Sequence, residues 1–365
     1  MVTATSRPGA TTVASTNSAP VPTTGPTPSS EPPISAVQSF GTSAKPLPPG
    51  GLYDGKRPPQ FVLISFDGAA EPAILDRWLK VSREAPARMS FFLSMVYMLD
   101  PAKRELYQGP RHKAGESAIG FAPGSPAPEF IRSVVTGLQR AQREGHELGL
   151  HYAGHWCGPS GVKSWNAADW NAEIDASMAL ANDIDGNNGL SPAVGSPYLR
   201  PPIGARTPCL DGNFSVLFPV LAGRGFRYDA SRTRSLKDWP IAQDGLWSFA
   251  FPSVTVAGSN KQLLAVDYSM DVNLGKRPKA QLTKDVAAGL TSAVELAMAG
   301  NRAPFEVSNH FTELGGGAYN DAVEQFARTV CPRAEVHCVN YRELVAWLDA
   351  HAGLLPGFQE GSFRV

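Results

Sequence analysis

The 365-residue sequence predicts an α/β fold, a parallel sheet with crossover helices that either closes into a barrel or stays open. Three observations carry that prediction. Gln60-Phe61-Val62-Leu63-Ile64-Ser65-Phe66 is a continuous apolar run, as expected of a strand covered on both faces. Ser90-Phe91-Phe92-Leu93-Ser94-Met95-Val96 is a second such run. Apolar residues at 130, 131, 134, 135 and 138 then recur at helical spacing.

The remaining elements follow the same alternation. A strand is expected at 147–150, then helices at 167–182, 280–299, 318–330 and 341–352, and strands at 196–199, 262–268, 304–309 and 335–339. Residues 1–55 are a different polymer, rich in Thr, Ser, Pro and Ala with two aromatic residues, Phe40 and Tyr53. Such a segment cannot bury enough apolar area to offset its ordering entropy, so it reads as a disordered linker, suited to a wall-crossing stalk or to a plain flexible tail. Residues 56–365 form the folded domain.

Composition removes several function classes. Lys plus Arg and Asp plus Glu are equal at 33 each, so the basic excess of a nucleic-acid binder is missing. No apolar run approaches the roughly 18 residues of a membrane span. The opening residues Met1-Val2-Thr3-Ala4-Thr5 lack the basic start and apolar stretch of a secretory signal. Cys157, Cys209, Cys331 and Cys338 allow three pairings, and Cys331 with Cys338 could staple one loop. A four-thiolate zinc knot competes, but no pair has C-x-x-C spacing, and the extracytoplasmic character of the linker favours disulfides.

Chemistry in parallel α/β folds collects at the C-terminal ends of the strands. Polar residues stand at five such ends: Asp67 after the first run, His151 and His155 after 147–150, Arg200 after Leu199, Asp267 after Val266, and His310 after Ser308-Asn309. Two histidines four apart can converge on a divalent metal, although H-x-x-x-H alone is a weak signal. His146 precedes its strand and reads as structural.

Gly145-His146-Glu147-Leu148-Gly149-Leu150-His151-Tyr152-Ala153-Gly154-His155 resembles the second motif of the polysaccharide deacetylases, carbohydrate esterase family four. Ser65-Phe66-Asp67-Gly68 is similar to the first motif, usually T-F-D-D, and Arg200-Pro201-Pro202-Ile203-Gly204 to the third, R-x-P-[YF]-G. Asp267-Tyr268-Ser269-Met270-Asp271 is a loose fourth motif, and Ser308-Asn309-His310-Phe311 fits the fifth. The resemblance spans about residues 58–352 and implies a distorted (β/α) barrel with a metal at its mouth.

It also implies roles. Asp67, His151 and His155 would hold the cation, zinc foremost, and Asp67 would be the catalytic base. Arg200 would keep that base ionised, His310 would protonate the leaving sugar amine, Asp267 would orient His310, and the backbone N–H near Ile203 would face the oxyanion. Gly68 stands where the family has a second Asp ligand. Three outcomes are open: Asp67 turns to the metal and another group serves as base, Asp67 stays the base while water or Glu71 completes the shell, or the site is impaired. Trp156, Trp165 and Trp170 invite sugar stacking but suit packing as well. The expected activity is removal of N-acetyl groups from a cell-wall or chitin-like glycan by a secreted or surface-linked hydrolase. The alternatives are an impaired glycan-binding relative and a hydrolase of O-acetyl esters or another small amide.

Overall fold

A computed structural model describes residues 44–68 and 71–363. Its strands are β1 (Gln60–Asp67), β2 (Ser90–Leu93), β3 (Glu147–Leu150), β4 (Gly204–Ala205), β5 (Tyr228–Thr233), β6 (Ile241–Gln243), β7 (Leu246–Phe251), β8 (Ser253–Val254), β9 (Leu263–Leu264), β10 (Phe305–His310) and β11 (Val336–Cys338). Nine of them make one sheet in the order β10-β1-β2-β3-β4-β5-β7-β6, with β11 beside the start of β1. Every pairing in it is parallel except β6 with β7. The sheet curls into a half-barrel. Between β7 and β10 Ala250 N–H donates to Glu306 Oε1 at 3.2 Å, while Ser308 N–H of β10 donates to the carbonyl of Ala265, just after β9, at 3.0 Å.

The side-chain period of two sorts β1 onto two cores. Val62, Ile64 and Phe66 join the large cluster between sheet and helices, while Phe61 and Leu63 face the barrel interior with Phe92, Tyr228, Phe249 and Tyr341. Ser65 and Asp67 continue that inward row toward the C-terminal end, where the interior turns polar. Helix α1 (Pro72–Glu84) begins with Pro at its first position and buries Ile74, Leu75, Trp78 and Leu79 on one face. Helices α2 (Ala127–Arg143) and α3 (Ala167–Asn182) follow, α3 opened by an Asn166/Asp169 capping box. The expected helices at 280–299 and 341–352 appear as Lys279–Ala299 and Tyr341–Ala350.

Three departures from the sequence reading have physical reasons. No strand forms at 196–199. Gln142 holds that segment as a loop, donating to the Pro197 carbonyl at 2.6 Å and accepting from Leu199 N–H at 3.0 Å. The place in the sheet is taken by the two-residue β4. Strand β5 escapes an apolar-run search because it carries the buried polar pair Asp229 and Ser231, which bond each other. At the N-terminus, residues 1–43 of the expected linker lie outside the described residues. Residues 44–55 pack on the domain: Trp347 Nε1–H donates to the Gly51 carbonyl at 2.9 Å and Tyr53 O–H to the Ala334 carbonyl at 3.0 Å. These contacts make residues 44–55 part of the folded body. Among the described residues no helix is long and apolar enough to cross a membrane.

Gly204 in β4 is needed for close approach, since a Cβ there would lie 1.8 Å from the Tyr228 ring. Gly204→Ala is expected to cost about 1–3 kcal/mol of stability. Thermal denaturation checks it; an unchanged midpoint would show that β4 and Tyr228 can move apart freely.

Candidate active site

The parallel register brings the chemistry to one end of the sheet. Asp67 ends β1 and lies directly across from His310, which ends β10. The loop after β3 carries His151, whose N–H donates to the Leu93 carbonyl at 2.9 Å. The strand after it, β4, leads into Arg206, whose N–H donates to the Leu150 carbonyl at 2.9 Å.

Arg206 is the centre of this end of the barrel. It is fully buried and held on every side. Nη1 donates to Asp67 Oδ1 at 2.7 Å and to Ser308 Oγ at 3.0 Å, Nη2 to the Tyr341 hydroxyl at 2.7 Å, and Nε to the Ala230 carbonyl at 2.9 Å. Its guanidinium carbon sits 4.2 Å from the Phe92 ring centroid and 4.6 Å from that of Phe251. Burial alone would push the Asp67 carboxyl up. The adjacent Arg206 charge, with His151 and His310, holds it below the usual carboxylate range. The Tyr341 O–H donates in turn to Glu306 Oε2 at 3.1 Å, and burial raises that carboxyl to about 7.

Arg200, expected beside the base, is elsewhere. Its Nη2 donates to the Gln142 carbonyl at 3.4 Å, just before the start of β3 and at the opposite end of the strand from His151. Ile203 is displaced too: its carbonyl accepts from Arg227 N–H at 2.7 Å as β4 begins. Sequence reasoning chose the wrong copy of a repeated signal. R-x-P occurs at Arg57, Arg200, Arg206 and Arg302, and of these only Arg206 directly follows a strand of the sheet.

His151 is buried, and its Nδ1–H donates to the Arg206 carbonyl at 2.8 Å, which leaves Nε2 as the free lone pair. Burial pushes its pKa down to about 3 against the pull of Asp67, so the ring is neutral at neutral pH. The His155 ring lies 5.0 Å from it, nearly edge-on, and burial lowers its pKa also. The loop is fixed by Glu173 of α3, whose Oε1 accepts from Ala153 N–H at 2.9 Å and Gly154 N–H at 3.0 Å. Tyr152 and His155 take left-handed backbone angles, φ 62° and 55°, and such strain persists only where the surroundings impose it.

His310 is paired with Asp267. Nδ1–H donates to Oδ1 at 2.7 Å and the His310 backbone N–H to Oδ2 at 2.7 Å. Burial opposes the charge on His310, but the bond and charge of Asp267, with Asp67, lift its pKa to about 9. Asp267 begins the helix Asp267–Leu274 rather than ending a sheet strand, and its Oδ1 also accepts from Tyr268 N–H at 2.7 Å.

The arrangement suits a divalent cation in part. Two neutral imidazoles, one with its tautomer fixed by a backbone carbonyl, are metal-ligand chemistry. Among the described residues no third protein ligand joins these two. Gly68 has φ 73°, and a side chain there would start 3.1 Å from the Tyr97 ring. Glu71 turns to cap α1, 3.5 Å from Ala73 N–H. Among the described residues, three ligand atoms fall within 4.8 Å of one another at His155, Cys157 and Cys209 and not at Asp67, His151 and His155. The two sulfurs of that group form a disulfide, and Cys331 pairs with Cys338 in a second. His146 is structural, accepting from Met89 N–H at 3.0 Å. Trp165 and Trp170 are buried against Leu150 and Tyr152, and Trp156 is covered on one face by His112 at a centroid distance of 3.4 Å.

No family model and no curated protein sequence matches the chain. Solved structures do. A Mycobacterium smegmatis protein named a "putative polysaccharide deacetylase" superposes with a TM-score of 0.50 at 14% identity, over 80% of this chain and 91% of the other. The peptidoglycan deacetylase PdaC from Bacillus subtilis matches at a TM-score of 0.41 and 11% identity, over 82% of this chain and 97% of its own. A CE4 family pseudoenzyme from Bacillus anthracis matches at 0.40 and 10%, over 79% and 66%. The chain has the polysaccharide deacetylase fold.

Removing one member of a buried ion pair strands the other. Arg206→Gln is expected to lower stability by about 3–5 kcal/mol, and Arg200→Gln by about 1 kcal/mol or less. Urea denaturation of the two variants checks the assignment; equal losses would refute it.

Proposed function

We propose that the chain is a metal-dependent hydrolase that removes N-acetyl groups from a cell-wall or chitin-like polysaccharide outside the cell. What supports the reading is one observation: an ionised carboxylate and a protonated imidazole on adjacent strands, next to two neutral imidazoles.

His151 and His155 would hold the cation, zinc foremost, with water completing its shell in place of the ligand that Gly68 lacks. Bound there, it would polarise the acetyl carbonyl and acidify a water molecule. Asp67 accepts the proton of the attacking water. Arg206 keeps that carboxylate charged and fixes one of its oxygens, so the other is available. The oxyanion needs a preorganised donor, and the N–H of Cys209, which follows Arg206-Thr207-Pro208, takes the place expected of Ile203. His310 delivers a proton to the departing amine, which is a poor leaving group without it. Asp267 holds the imidazole by Nδ1, so Nε2 carries the proton to be transferred.

The test is acetate release from an N-acetylated chito-oligosaccharide. Release should stop with a chelator, return with Zn²⁺, and fall by about 10²-fold or more in His151→Ala. Binding of the oligosaccharide without release at any metal loading would overturn the hydrolase and leave a glycan-binding protein, the outcome that Gly68 favours. Faster turnover of an O-acetyl substrate would reassign the bond cleaved.

The pH profile has a defined sign. His310 is protonated below about 9, so kcat/KM should hold through neutral pH and fall as pH rises through that value. Asp267→Asn removes the partner that raises it, and the alkaline limb should move down toward the ordinary histidine value of about 6.5. An unmoved limb would exclude His310 as the acid.

A further inference from the structure

Cys157 and Cys209 do more than close a loop. The His155 ring nitrogen Nδ1 lies 3.8 Å from Cys157 Sγ, and a ring nitrogen of His155 and both sulfurs fall within 4.8 Å of one another. Ligands on a tetrahedral zinc, with bonds of roughly 2.0–2.3 Å, stand roughly 3.5–3.8 Å apart. The His155 to Cys157 spacing already has that value. The Cα atoms of the two cysteines are 6.0 Å apart, so χ rotations can open the sulfurs without moving the backbone. Cys209 is exposed and Cys157 is half-buried, whereas Cys331 and Cys338 are buried. A reductant therefore reaches the 157–209 pair first.

We propose that the reduced chain carries a Cys–Cys–His site for a thiophilic divalent cation such as Zn²⁺, built from His155, Cys157 and Cys209. In the oxidised chain the disulfide uses both sulfurs and the site is closed. A dithiol reductant opens it. Its thiolate attacks Cys209 Sγ and displaces the Cys157 thiolate, and its second thiol then releases Cys209 as the reductant leaves as its own disulfide. Two electrons and two protons pass to the cysteine pair, and cation binding expels the two thiol protons. Three protein ligands leave a fourth position for water, the pattern of an open zinc centre.

The consequence concerns His155. The same imidazole is paired with His151 in the oxidised chain and would be drawn to the sulfurs in the reduced one. The chain thus lacks a carboxylate at Gly68 but holds two sulfurs beside the second histidine. The inference rests on these three side chains and not on the hydrolytic reading.

The test is cobalt titration of the full chain, oxidised and after phosphine reduction, followed in the near ultraviolet where thiolate-to-cobalt charge transfer absorbs. Reduction should create that band and tighten binding at least tenfold, and reoxidation should release the ion to a chelating dye. Cys157→Ser and His155→Ala should each weaken the reduced-state binding at least tenfold. No thiolate band on reduction would overturn the proposal. So would a band that persists in both variants, since the ligands would then be Cys331 and Cys338. The comparison of oxidised and reduced wild-type protein needs no variant to fold. Acetate release plays no part in it, so its failure leaves the proposed deacetylation standing.

Discussion

The structure depends on one buried ion pair. Arg206 is surrounded by barrel side chains with no exposure to water, and a guanidinium in that position is tolerable only because each face is satisfied. Asp67 neutralises it, Tyr341, Ser308 and Ala230 take its other donors, and Phe92 and Phe251 cover its planes. Because Asp67 belongs to β1, Ser308 to β10 and Ala230 to β5, the pair ties three parts of the curled sheet to one point. The same bond fixes the charge state of the carboxylate that faces the open end.

Around this point buried acids fix the backbone of the loops. Glu173 reaches from α3 to two backbone N–H groups between His151 and His155, and Tyr107 donates to the same carboxylate at 2.9 Å. Asp267 does the corresponding work for His310. Burial raises Glu173 to about 7, whereas Asp67 stays low because it alone has the guanidinium beside it. The site is thus sorted into a charged carboxylate, a charged imidazole and neutral imidazoles by position alone.

Much of this was legible in the residues. Continuous apolar runs located β1 and β2, and polar residues at the strand ends named Asp67, His151, His155 and His310. The arginine was misread because Gly204 completes a motif-like ending after Arg200, while the strand that leads to Arg206 is two residues long and leaves no periodic trace. Glu173 was invisible for another reason. Its function depends on α3 packing behind a loop some 20 residues earlier, a contact that no local pattern encodes. The pairing of Cys157 with Cys209 across 52 residues is likewise a property of the fold.

The central claim is that Arg206 keeps Asp67 ionised as the proton acceptor at the barrel mouth. A pH titration of the Asp67 carboxyl carbon by ¹³C NMR, assigned by comparison with Asp67→Asn, tests it most directly. The account predicts that this resonance remains in its ionised position while the exposed aspartates protonate, and that it begins to move only below their range. A resonance that titrates with those exposed aspartates, or above them, would contradict it.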